Sequence, residues 1–202
     1  LGDMGCHIID PAFWALDLGA PSTVQATSTH WEPDVASQTF PRASIVRFNF
    51  PARGSKPPVE LTWSDGRLMP PIPEELEQGR KLPGSGALIY GDKGVILHGS
   101  HGAGGMRIIP EAKMKEYTPP PKTIRRVNGT HESDWIRACK DGNPASSNFD
   151  YGGPLTELAL LGMAAIRAKD QRLEWDSKNM RFTNNEAANE LLHINYRDGW
   201  SL

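Results

Sequence analysis

The stretch Val46-Arg-Phe-Asn-Phe50 decides the expected fold, because its apolar and polar side chains alternate strictly. Successive side chains of a β-strand point to opposite faces, so this alternation predicts a strand with one apolar face. A second run, Val59-Glu-Leu-Thr-Trp63, repeats the pattern after a polar loop that contains Gly54 and Pro57-Pro58. Two alternating runs joined by a polar loop predict an antiparallel pair of strands that buries one face.

Shorter strand patterns flank this pair. Residues 24–31 precede it and alternate less cleanly, while residues 87–90 and 95–98 follow it and are joined by the turn Gly91-Asp-Lys-Gly94. A short connection of this composition predicts a tight hairpin. Residues 106–109 predict one more strand.

The chain is expected to form one domain over residues 1–202. Its 38% hydrophobic and 23% charged residues are ordinary for a globular protein with a buried core. Proline clusters at 70–73 and 119–121 are interpreted as rigid surface connections rather than domain linkers, because the strands around them are expected to belong to one sheet. The formal net charge of -2 disfavours general binding to nucleic acid or anionic membranes. No apolar run approaches the roughly 20 residues that span a bilayer.

Helices are predicted before and after the strands. The first runs to about Leu18, where Gly19 closes it, and Pro11 inside it predicts a kink. Residues 154–169 are apolar on nearly every side and predict a buried helix with Pro154 at its first position.

The last predicted helix, residues 186–196, has an apolar stripe that consists of Ala187, Leu191 and Ile194. Three tryptophans in apolar patterns are expected in the core: Trp63, Trp175 and Trp200. A run of strands between helices predicts an α+β fold, in which a mainly antiparallel open sheet has helices packed on one face.

A carboxylate and an imidazole open the chain in the stretch Asp3-Met-Gly-Cys-His7. Residues four apart lie on one face of a helix, so Asp3 could orient the imidazole of His7 there. Such a pair can move a proton. The alternative is a hydrogen bond that stabilises the helix start and has no catalytic role.

Several motifs together resemble the second domain of the glucose-fructose oxidoreductase, inositol dehydrogenase and MocA (Gfo/Idh/MocA) family. The resemblance covers almost the whole chain and includes the Asp3/His7 pair with Asp10 after it, Phe48-x-Phe50, Tyr90-Gly-Asp-Lys-Gly-Val95, Gly152-Gly-Pro-Leu-Thr-Glu157, and Leu173-Glu-Trp-Asp176 with Trp200. It implies a large, mainly antiparallel sheet whose open face commonly packs against another subunit, and therefore a homo-oligomer.

The resemblance also implies an activity. Enzymes of the family move a hydride between a carbinol carbon and the nicotinamide of NAD or NADP, while a proton leaves or joins the hydroxyl oxygen. By resemblance His7 is the acid/base, since histidine is the usual proton carrier near neutral pH. Asp3 would orient it or hold the substrate hydroxyl. The implied substrate is a sugar, a polyol or a related carbinol.

The family's cofactor domain has no counterpart in the sequence. No strand is followed by Gly-x-Gly-x-x-Gly and a helix, because the glycines at 84–86 and 102–105 are out of register. The family's catalytic lysine is also missing, since Lys56-Pro57 lies downstream of the Asp3/His7 pair. The chain is therefore expected to be a C-terminal domain whose partner is an N-terminal Rossmann domain of the same gene. Alone it should be inactive and bind neither NAD nor NADP, and its localisation stays open.

Four further residues are candidates for binding the substrate: Asp10, Trp14, His131 and Tyr151. Asp10 precedes a proline and is alternatively a local hydrogen-bonding residue. His131 is alternatively part of a helix cap. An exposed tryptophan can stack on a sugar ring, a role for which Trp31 is a second candidate.

Two histidines three residues apart, His98 and His101, have a spacing that can hold a metal ion. A tetrahedral site needs further cysteine, histidine or carboxylate ligands. None lies nearby in the sequence, so no metal site is expected.

Three functions from different classes remain open. The first is the substrate domain of an NAD(P)-dependent oxidoreductase. The second is part of an NAD-dependent glycoside hydrolase, which uses a transient redox step and regenerates its cofactor in each turnover. The third is a non-catalytic binding or dimerisation module.

Overall fold

The fold is given by a computed structural model, which describes residues 1–30 and 38–200. Its helices are α1 (Gly5–Leu16), α2 (Glu111–Glu116), α3 (His131–Asp141), α4 (Phe149–Ala168) and α5 (Glu186–Glu190). Its strands are β1 (Thr23–Ser28), β2 (Ser44–Phe50), β3 (Val59–Ser64), β4 (Gly86–Gly91), β5 (Gly94–Gly99), β6 (Arg107–Ile109), β7 (Arg172–Asp176) and β8 (Arg181–Phe182). Helices and two antiparallel sheets make an α+β fold, which confirms the predicted class.

The larger sheet has the strand order β3-β2-β1-β7-β8, and each neighbouring pair is antiparallel. The predicted pair lies at one edge as β2 and β3, with Phe48 opposite Leu61. Val24 of β1 lies opposite Phe48 on one side and Leu173 of β7 on the other. The apolar alternation therefore fixes the register as well, because a shift by one residue would turn these side chains to the opposite face.

Helix α4 covers the apolar face of the larger sheet, and α1 packs against α4 as part of the same core. Phe48 and Phe50 are fully buried there and belong to one core with Leu158 and Leu161 of α4. Helix α4 approaches the sheet closely at Gly162, where a Cβ atom would lie 2.9 Å from Cζ of Phe48. The packing of helices on this face agrees with the prediction.

The other face of the larger sheet is mainly polar. Neighbouring positions on β1, β2 and β3 hold Gln25, Arg47 and Thr62, and β7 adds Arg172 and Glu174. A polar sheet face can remain in contact with water. A homo-oligomer that forms through this face stays a prediction, and its contacts would be polar.

Strands β4, β5 and β6 form a separate three-stranded sheet. The predicted hairpin is present, with Gly91 opposite Gly94 across the turn. A small core of its own consists of Leu76, Val95, Leu97 and Ile109. The prolines at 70–73 thus connect two sheets, and the prediction of one continuous sheet was wrong. Alternation identifies a strand, but it does not identify the strand's partners.

Helix α4 begins five residues earlier than the sequence predicted. The side chain of Asn148 accepts a hydrogen bond of 2.9 Å from the backbone N–H of Asp150, so the helix starts at Phe149. Pro154 consequently lies inside the helix and not at its first position. An asparagine cap in the preceding loop is a weaker sequence signal than a proline, which is why the start was misplaced.

The apolar stripe predicted for the last helix is absent from the described structure. Helix α5 ends at Glu190, and the expected stripe residues are exposed: Ala187, Leu191 and Ile194. The buried residues are instead Ala188 and Asn189, and the amide of Asn189 accepts from the N–H of Phe182 and donates to its carbonyl. Trp200, which was expected in the core, is 63% exposed, whereas Trp63 and Trp175 are buried as predicted.

Candidate active site

The exposed side of α1 carries three of the predicted site residues. His7, Asp10 and Trp14 occupy positions i, i+3 and i+7, which fall on one stripe of a helix. The opposite side of α1 is apolar, and Ile9 and Phe13 pack there into the core. Burial of that side turns the stripe toward solvent, where a ligand can reach it.

Tyr151 joins the stripe from α4. Its hydroxyl donates a hydrogen bond to Oδ1 of Asp10, and its ring meets the ring of Trp14 edge to face, with centroids 6.3 Å apart. Burial, followed by the hydrogen bond to Asp10, raises the pKa of Tyr151 above its ordinary value. Tyr151 therefore stays a neutral phenol at physiological pH. The structure brings these three residues together, while their role in substrate binding stays a prediction.

A second imidazole lies beside His7. The ring centroids of His7 and His101 are 4.6 Å apart, and the two ring planes are inclined by 31°. Both side chains are exposed. The sequence indicates His101 only as a possible metal ligand. Its contact with His7 was not predicted, because the two residues lie far apart in the chain and come from different elements.

His101 belongs to the loop between β5 and β6. This loop closes on itself through a hydrogen bond of 2.8 Å from the N–H of Gly99 to the carbonyl of Gly104. His101 has a left-handed φ of 49°, a conformation that histidine adopts more readily than most residues with a side chain. The run Gly102-Ala-Gly104-Gly105 signals such a tight loop in the sequence. It does not signal what the loop contacts.

Asp3 does not share a helical face with His7, and that expectation was wrong. Helix α1 begins at Gly5, and its N-cap residue, Met4, has no side-chain hydrogen bond to the first turn. Asp3 therefore lies in the turn before the helix. Among the described residues, no hydrogen bond or ion pair joins Asp3 to His7. Asp3 instead lines a cleft of about 210 Å³ whose other polar residues are Ser44 and Asp65.

One other aromatic candidate, His131, lies apart from the stripe. His131 is the exposed first residue of α3, and within residues 1–30 and 38–200 no hydrogen bond or ring contact joins it to α1. The cap of α3 is Thr130, whose hydroxyl accepts a hydrogen bond of 3.3 Å from the N–H of Ser133. His131 is thus next to the cap but does not form it. Trp31 lies outside the described residues.

The side chain of His98 is buried, whereas that of His101 is exposed. His98 is 1% exposed, and its Nδ1 lies 2.7 Å from the carbonyl oxygen of Gly99. Its Nε2 is buried and has no hydrogen-bond partner in the described structure. In the same part of the chain, no group of three or more histidine, cysteine, aspartate or glutamate side chains is arranged to hold a metal ion.

The described residues do not fit a dinucleotide. A Rossmann site needs parallel strands joined through helices, with a glycine-rich turn at a helix start to bind the pyrophosphate. Every strand pair in residues 1–30 and 38–200 is antiparallel. Residues 1–30 and 38–200 therefore contain no Rossmann site of this kind.

Comparison with models of known protein families gives no match, and a search of curated proteins gives none. The resemblance to the Gfo/Idh/MocA family therefore rests on the sequence motifs given above. None of the helices in the described part of the chain combines the length and apolar character that crossing a bilayer requires.

Proposed function

We propose that this chain is the substrate-binding domain of an NAD(P)-dependent oxidoreductase that acts on a sugar, a polyol or a related carbinol. One observation carries the proposal: an exposed imidazole, a tyrosine–carboxylate pair and an exposed indole lie together on one side of α1. Imidazole moves protons, carboxylates accept hydrogen bonds from hydroxyls, and indole stacks on sugar rings. An enzyme that works on a sugar hydroxyl needs these three capacities.

His7 is the proton-transfer group in this proposal. Its side chain is exposed and has no hydrogen bond or ion pair among the described residues, so its ring nitrogens are accessible to a substrate hydroxyl. Histidine gains and loses protons readily near neutral pH. His7 accepts the hydroxyl proton when the substrate is oxidised and returns it when the substrate is reduced.

Asp10, Tyr151 and Trp14 bind the substrate. The hydroxyl of Tyr151 occupies Oδ1 of Asp10, which leaves Oδ2 to accept a hydrogen bond from a substrate hydroxyl. Trp14 is 58% exposed and offers its ring face to the apolar side of a sugar. Asp3 lines a separate cleft with Ser44 and Asp65, so its proposed role in holding a substrate hydroxyl rests on the resemblance alone.

The nucleotide belongs to a separate Rossmann domain of the same gene in this proposal, because the residues described here do not fit it. Bound nicotinamide supplies the hydride acceptor or donor. The present chain supplies the proton-transfer group and the substrate contacts. Alone, it is proposed to be inactive.

The test is a substrate screen on the protein that joins this chain to a Rossmann domain. Sugars and polyols are offered with NAD and with NADP, and nicotinamide absorbance is followed. We expect a net absorbance change with at least one substrate, which is lost in His7→Gln and kept in the control His193→Gln, an exposed histidine outside the stripe. Cleavage of a glycosidic bond without a net absorbance change would indicate the glycoside hydrolase instead. Nucleotide binding without turnover on any substrate would indicate the non-catalytic module.

A further inference from the structure

We propose that His101, and not Asp3, is the residue that positions the imidazole of His7. The inference rests on the proposed function for its catalytic meaning, but the contact itself does not. It adds the loop between β5 and β6 to the candidate site. It also replaces the carboxylate–imidazole pair expected from the sequence with a pair of imidazoles.

The contacts of His7 carry the proposal. Its backbone N–H donates to the carbonyl of Met4 at 3.1 Å, which fixes the main chain but not the ring. Its ring makes one contact with another ring among the described residues, that of His101, with centroids 4.6 Å apart. No hydrogen bond or ion pair holds the ring in this part of the chain. The neighbouring ring of His101, inclined by 31°, is therefore the contact to which we assign its orientation.

His101 is itself held in place. Its Nδ1 lies within hydrogen-bond distance of the Ser100 hydroxyl, at 3.1 Å, and the loop is closed by the bond between Gly99 and Gly104. The preceding strand is anchored by the buried side chain of His98. Because its loop is closed and the preceding strand is anchored, the ring of His101 can limit the orientations of the exposed His7 side chain.

Orientation matters because an exposed histidine on a helix samples several staggered rotamers, and only some of them direct a ring nitrogen at the substrate. A flat ring against one side of the imidazole excludes the rotamers that would overlap it. Rotamers that the ring no longer samples do not have to be given up in each reaction cycle. This saving in entropy is the usual benefit of positioning in an active site.

The contact can be tested on the 202-residue chain without any activity, by proton–carbon NMR of the histidine rings. His101→Asn removes the ring, while asparagine still suits the left-handed backbone at this position. His101→Phe keeps a flat ring, and His193→Asn is the control. We expect the ring signals of His7, identified by their loss in His7→Gln, to move in His101→Asn. In His101→Phe they should remain shifted by a neighbouring ring, and in His193→Asn they should not move. Unchanged His7 signals in His101→Asn would overturn the proposal.

The consequence for catalysis is tested in the protein that joins this chain to its Rossmann domain. His101→Asn should lower kcat by about ten- to a hundredfold, the range expected for a misplaced reacting group, with KM within about twofold. His101→Phe should recover most of kcat. A slow His101→Phe enzyme in which the His7 signals keep the ring shift would overturn the positioning role, since it would mean that the imidazole chemistry of His101 is needed. If the NMR result holds and no variant or wild-type protein oxidises any substrate, the proposed function fails while the ring contact stands.

Discussion

Replacement of Tyr151 by phenylalanine tests whether the tyrosine–carboxylate pair exists in solution. The substitution removes only the hydroxyl that donates to Oδ1 of Asp10 and keeps the ring beside Trp14. A hydrogen bond to a charged group contributes about 1.5–3 kcal/mol when the loss leaves a buried partner unsatisfied. Because Asp10 is only half-buried, water replaces part of the bond, and we expect a loss of about 1–2 kcal/mol in the free energy of unfolding.

This loss can be measured by urea denaturation and by thermal melting. For a chain of this length, about 1 kcal/mol shifts Tm by about 2–4 °C, so Tyr151→Phe should lower Tm by about 2–8 °C. Tyr90→Phe is the matched control, because Tyr90 is exposed and its hydroxyl has no hydrogen bond among the described residues. A double-mutant cycle with Asp10→Asn isolates the pair. A coupling free energy near zero would refute the reasoning.

The same pair predicts a pH dependence with a definite sign. The pKa of Tyr151 is raised in the folded protein above its ordinary value of 10.0, so the folded state holds the phenol proton more tightly than the unfolded state. Both states are protonated below pH 10, and the stabilisation is then complete. Above pH 10 the unfolded tyrosine ionises first, and the stability advantage of wild type over Tyr151→Phe should shrink. An advantage that grows with pH in this range would contradict the assigned direction.

Three further predictions concern the scaffold and the missing cofactor site. Asn189→Ala should lower the free energy of unfolding by about 2–4 kcal/mol in urea denaturation, because it leaves the buried N–H and carbonyl of Phe182 unpaired. A loss below about 1 kcal/mol would show that water reaches this position. Gly162→Ala should cost about 1–3 kcal/mol, since its Cβ would overlap the side chain of Leu1 and lie 2.9 Å from Cζ of Phe48. The control Gly152→Ala on the same helix meets nothing within 4 Å and should be neutral or slightly stabilising. Equal melting temperatures for the two glycine variants would argue against the close approach. Calorimetry of the 202-residue chain should detect no binding of NAD or NADP, and micromolar binding to either would contradict a separate cofactor domain.

The parts of the fold that the sequence predicted are those governed by local pattern. Residues 46–50 and 59–63 have a period of two with large apolar side chains, and burial of one face then leaves a single acceptable register. The hairpin across residues 91–94 follows from glycines at both ends of a short turn. Sheet membership is not local, so the division into two sheets on either side of residues 70–73 was not predicted.

Only the part of the candidate site that depends on local pattern was predicted. His7, Asp10 and Trp14 share a helix, so their spacing alone places them on one side. Asp3 was misplaced because the helix start depends on capping, and the N-cap of α1 is Met4, which has no capping side chain. His101 reaches His7 through the packing of a separate strand and loop, and no spacing along the chain encodes that approach.

The most direct test of the account is the turnover of His7→Gln in the proposed protein that joins this chain to a Rossmann domain. Glutamine keeps a polar side chain of similar reach but cannot exchange a proton near neutral pH. If His7 transfers the proton, kcat should fall by about 10²–10⁴-fold, while the Kd for NAD or NADP and the Tm stay close to wild type. A variant with a lower Tm and an unchanged kcat in the folded fraction would show that His7 is structural, and it would contradict the central claim.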